Sequence, residues 1–197
     1  MLVLIDNGHG SDTKGKRSPD GKFLEYAWAR KEAQLLQRHL FSLGCKSFIL
    51  VPEDKDISLA VRAARVNEYC KHLGRENVLL VSIHCDAQPG CDSKWGEARG
   101  LTSIVYTKAG ASSRKLAALI TAEANKSNLL GNRSVPSCLY REQNLAILRE
   151  TQCAAVLVEC GFMTNRDDVA FMLSLAGQNK IAAAIAAAVE NYVDNSL

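Results

Sequence analysis

The segment Leu2-Val3-Leu4-Ile5-Asp6-Asn7-Gly8-His9-Gly10 runs from apolar residues straight into a polar turn that holds a histidine between two glycines. A short apolar run cut off by turn residues reads as a buried strand, here over 2–6, with an imidazole at its C-terminal edge. The same layout recurs in Val78-Leu79-Leu80-Val81-Ser82-Ile83-His84-Cys85-Asp86. A third apolar run, Ala154 to Val158, ends in Glu159. In open α/β sheets, ligand and catalytic sites lie just beyond the carboxyl ends of the strands. Three apolar runs that end in chemically active side chains therefore point to one sheet with one functional edge.

The rest of the chain fits that frame. Strands are predicted near 2–6, 46–51, 77–83, 102–106 and 154–159, with helical patterns between them. Leu24, Trp28, Leu35, Leu36, Leu40 and Leu43 recur at helical spacing, and Gly44 is placed to end that helix. Leu59, Ala63, Val66, Cys70 and Leu73 mark a second helix, Leu116, Ile120 and Ala124 a third. Ile181, Ile185, Val189 and Tyr192 mark a long alanine-rich one near the C-terminus. Alternating strands and helices imply an α/β fold, a mostly parallel twisted sheet flanked by helices on both faces. With 197 residues and no linker or repeat, the expectation is a single domain over 1–197. Two loops, 11–22 and 87–100, each follow a histidine-bearing strand end and are placed to wall one cleft.

A net charge of +3 with no long basic run gives no argument for nucleic acid. No apolar stretch approaches the roughly 20 residues that span a bilayer, so no membrane insertion is expected. Seven cysteines, an odd number without Cys-x-x-Cys, read as buried free thiols of a reducing compartment. The first strand begins at residue 2 with no signal peptide before it, so synthesis in the cytoplasm is expected. Any target outside the cytoplasm then requires release by lysis or another route.

Two strand-end histidines suggest a metal site. Hydrolytic zinc centres take three protein ligands and leave one position open, so His9 and His84 need a third. Glu25, at the head of the first helix, lies within easy reach after the first loop. Glu32 is a competitor about 10 Å further along that helix, and Asp12 and Asp86 are the other carboxylates nearby. Asp86, two residues after His84, is placed to accept that ligand's second N–H. Glu159, costly to bury unless it faces a site, is placed to take and return a proton. His39 and His72 read as surface or packing residues, and Tyr26, Trp28 and Trp95 as packing residues.

Taken together, Asp6-x-Gly8-His9-Gly10, Glu25, Ser82-Ile83-His84-x-Asp86 and Val158-Glu159-x-Gly161-Phe162-x-x-Asn165 resemble the zinc-dependent N-acetylmuramoyl-L-alanine amidases of the type 3 class. The likeness covers nearly the whole chain. It implies a phosphorylase/hydrolase-like fold and one zinc ion held by His9, Glu25 and His84. It implies Glu159 as the catalytic carboxylate and peptidoglycan as the substrate, cut between N-acetylmuramic acid and L-alanine. Where the family often has asparagine, this chain has Asp86. Lys14, Lys16, Arg17 and a Ser-Pro-Asp-Gly turn in the first loop resemble phage or prophage endolysin catalytic domains more than exported division amidases. Cell-wall degradation after lysis-dependent release is the context this implies.

The alternatives are a zinc peptidase or carboxypeptidase acting on peptides alone, and a non-catalytic wall-binding module. Arg133 and Arg141 are open between contacts to stem-peptide carboxylates and solvated surface positions. Asn165 is expected to cap the helix after it rather than touch substrate, since Asp167 and Asp168 suit a first turn. Oligomeric state is left open by the sequence.

Overall fold

In the computed structural model, which describes residues 1–195, six strands form one sheet in the order β2-β1-β3-β6-β4-β5. They are β1 (Leu2–Asn7), β2 (Lys46–Ile49), β3 (Val78–Asp86), β4 (Thr102–Tyr106), β5 (Arg141–Gln143) and β6 (Ala154–Phe162). β1, β2, β3 and β6 run parallel to one another. β4 is antiparallel to β6, and β5 is parallel to β4. The mostly parallel sheet expected from the alternation is present, with two reversed strands at one edge.

The helices are α1 (Glu25–Ser42), α2 (Leu59–Leu73), α3 (Ala111–Lys126), α4 (Ala146–Arg149), α5 (Arg166–Leu173) and α6 (Leu175–Asp194). One apolar core joins α1, α3, α5 and α6 to the sheet side of Leu79, Val81, Val156 and Val158. The other joins α2 and α4 to the side of Leu80, Ala155 and Leu157. β1, β3 and β6 are buried along nearly their whole length, as central strands covered on both faces must be. Ser58 caps α2, accepting from the Val61 N–H, and Asn165 caps α5, accepting from the Asp167 and Asp168 amides. Asn165 is thus a helix cap, as its sequence context indicates. Among the described residues, no single helix is long and apolar enough to cross a membrane.

β3 and β6 extend past their expected ends, to Asp86 and Phe162. Between the pairs His84–Glu159 and Asp86–Phe162 the register shifts, with one extra residue in β6. Such a bulge re-aims side chains at the end of a ladder. It lies at the same sheet edge as the histidine after β1.

Candidate metal centre

His9, Glu25 and His84 come together beyond the C-terminal ends of β1 and β3, their ligand atoms all within 4.8 Å of one another. Glu25 Oε1 lies 3.1 Å from His84 Nδ1 and 3.4 Å from His9 Nε2, and the two imidazoles meet edge to face at 4.9 Å. The Cys85 amide donates to the same oxygen at 2.8 Å. Glu25 is fully buried, yet its Oε2 has no hydrogen-bond partner. Burial pushes the Glu25 carboxyl up, but hydrogen bonds and charge from His84 and His9 outweigh it and hold Glu25 well below the usual carboxylate range. The result is an ionised carboxylate between two imidazoles, with one oxygen unclaimed. This donor set fits a divalent cation of the zinc type.

The backbone around His9 is shaped for this meeting. Gly8 donates to the Ile83 carbonyl at 3.0 Å, and a Cβ on Gly8 would sit in the His84 ring, 2.6 Å from Nδ1. A Cβ on Gly10 would run into the backbone of Asp56. The His9 carbonyl accepts from Arg30 Nη1 at 3.1 Å and from Arg62 Nη2 at 3.2 Å. Arg62 is only 2% exposed and also donates to Asp6 Oδ1 at 2.6 Å and to the Asn7 carbonyl at 2.8 Å. Asp6 Oδ2 accepts from the Ser82 hydroxyl at 2.6 Å, which ties β1 to β3 just beneath the site. Nothing in the sequence singles out Arg62, because an arginine in a helix reads as a solvated position.

Glu159 stands opposite His84 in the β3–β6 ladder and opposite Thr102 of β4 on its other side. Its Oε2 is buried without a partner. Burial raises the Glu159 carboxyl to about 7; His84 and Arg133 pull it down, and Asp86 and Glu25 push it up.

The other candidates fall elsewhere. Asp86 does not pair with His84: it accepts from Arg133 Nη2 at 2.8 Å and from the Ala87 amide. Asp12 accepts from the Asp56 amide, holding the first loop. Glu32 is buried outside the metal group. Arg141 donates to the Ser134 carbonyl. His72 pairs with Glu68 on the surface and His39 contacts Asn179. Trp28 is a core residue whose Nε1 donates to the Met172 carbonyl.

A sequence profile of the family described as N-acetylmuramoyl-L-alanine amidase matches residues 3–191. The probable cell wall amidase LytH of Staphylococcus aureus is 30% identical over 167 residues, which cover 84% of this chain and 49% of LytH. The chain thus spans about half the length of the curated relatives it matches, 49% of LytH. The N-acetylmuramoyl-L-alanine amidase of Clostridium difficile 630 superposes with a TM-score of 0.83 at 26% identity, covering 98% of this chain and 96% of that one. Ami1 of Mycobacterium smegmatis superposes with a TM-score of 0.82 at 22% identity, covering 99% and 97%, and shares the fold.

Proposed function

Because the chain belongs to the N-acetylmuramoyl-L-alanine amidase family, we propose that it hydrolyses the amide between N-acetylmuramic acid and L-alanine in peptidoglycan. The observation that carries this reading is the His9–Glu25–His84 group, with Glu159 directly across the ladder from His84. His9, Glu25 and His84 are the residues that would hold one zinc ion. When bound, zinc supplies Lewis-acid chemistry, polarising a carbonyl and bringing the pKa of water down to about 7.

The chain's own residues do the rest. Glu25 brings one negative charge, which offsets half that of a divalent ion, and the Cys85 amide fixes its orientation. Burial raises the Glu159 carboxyl to about 7, which suits it to exchange a proton near neutral pH. It accepts the proton of the attacking water and delivers it to the departing alanine nitrogen. The cell wall is the site of action on this reading.

The test is mass spectrometry of purified peptidoglycan digested by zinc-loaded protein, with Glu159→Gln in parallel. Wild type should free stem peptides that begin at L-alanine and leave peptide-free glycan. Glu159→Gln should keep its zinc and lose about 10²–10⁴-fold in kcat. Cuts within the peptide would make the protein a peptidase. Near wild-type turnover by the zinc-loaded variant would remove Glu159 from the mechanism. Binding without any cleavage by wild type would make it a wall-binding module.

A further inference from the structure

Arg133 lies between α3 and β5 and folds over the ends of β3 and β6. Its Nε donates to the Gly100 carbonyl at 2.6 Å and its Nη2 to Asp86 Oδ2 at 2.8 Å. Its guanidinium carbon sits 4.1 Å from the centroid of the Phe162 ring. The side chain is only 8% exposed, so this cation is clamped rather than solvated. Nη1 alone has no partner among the described residues, and it is not sealed from solvent.

The clamp stands beside the metal group. Asp86 and Phe162 are paired on the same two strands, two residues beyond His84 and three beyond Glu159. Asp86 accepts from the Ala87 amide through Oδ1 and from Arg133 through Oδ2. The clamp therefore presents Nη1 as a free donor on a rigid guanidinium. That group selects carboxylates, which it binds through paired or charge-assisted N–H bonds. On the glycan side of the scissile amide the neighbouring groups are neutral sugar hydroxyls. On the peptide side they include carboxyl groups.

We propose that Arg133 is a specificity-determining residue whose Nη1 binds a free carboxylate of the stem peptide beside the scissile amide. This rests on the amidase reading.

The test uses two muropeptides that differ only in the α-carboxyl of the second stem residue, free in one and amidated in the other. Their binding to zinc-loaded Glu159→Gln protein is measured by calorimetry, so turnover does not interfere. The free carboxylate should bind about tenfold more tightly than the amide. Adding Arg133→Gln should weaken only the carboxylate ligand and erase the preference. Equal weakening of both ligands, or a preference that survives the substitution, overturns the assignment. If Arg133→Gln does not fold by circular dichroism, Asp86→Asn takes its place. That variant keeps the cation and removes its competing carboxylate, so the preference should rise, and a fall overturns the proposal. Cleavage by wild type is scored separately. Preference without cleavage leaves the carboxylate subsite standing and removes the amidase reaction, whereas cleavage with no preference between the ligands removes the subsite and leaves the reaction.

Discussion

His9 has φ 61°, a left-handed conformation that costs a side-chain-bearing residue about 1–2 kcal/mol. Arg30 and Arg62 hold it there by binding its carbonyl from two elements. Gly8 is as constrained as the histidine, since its missing side chain is where the His84 imidazole packs. Gly8→Ala should push that ring off Glu25 and weaken zinc binding about 10–100-fold. Competition against a chromogenic chelator checks this, and an affinity within twofold of wild type would contradict it. His9, His84 and Glu159 were legible in the sequence because each ends an apolar run. The reason for the flanking glycines was not, because their neighbours, Asp56 and His84, are distant in the chain.

At the scale of elements, the strands that carry the site declared themselves by unbroken apolar runs. β5 did not: Arg141-Glu142-Gln143 is polar and becomes a strand only by pairing with β4. Nor does an apolar run reveal direction, so the reversal of β4 against β6 could not be read from Thr102–Tyr106. α2 showed its apolar stripe but hid its main task, which is to deliver Arg62 to the buried end of β1. Arg62 and Asp6 are 2% and 1% exposed, and removing Arg62 leaves Asp6 a buried charge without its counter-ion. Arg62→Leu should therefore cost about 3–5 kcal/mol in stability. Urea unfolding checks this, with a loss below about 1 kcal/mol as the contrary result.

For the whole molecule, Glu32 sets an unusual condition on stability. It is fully buried on α1, and neither oxygen has a well-formed hydrogen bond. Burial raises its carboxyl from 4.5 to about 8, and the nearby Ala182 amide offsets only part of that. A raised carboxyl favours the folded state fully below its unfolded value, and this contribution is lost as pH rises through the folded one. The Glu32 contribution should thus decline between pH 4.5 and about 8, by at most about 1.4 kcal/mol per unit. Glu32→Gln should raise the melting temperature at pH 8 and leave it nearly unchanged at pH 5. A gain equal at both values would assign the effect to packing instead. The site itself is spread unevenly along the chain. His9, Glu25 and His84 all precede residue 86, whereas Glu159 arrives on β6, which must slot between β3 and β4. A ribosome making ~5–20 residues per second releases the three candidate metal ligands several seconds before the carboxylate. A nascent or truncated chain that stops short of β6 lacks the carboxylate proposed as general base, so on that reading the site is complete only once the central strand has closed the sheet.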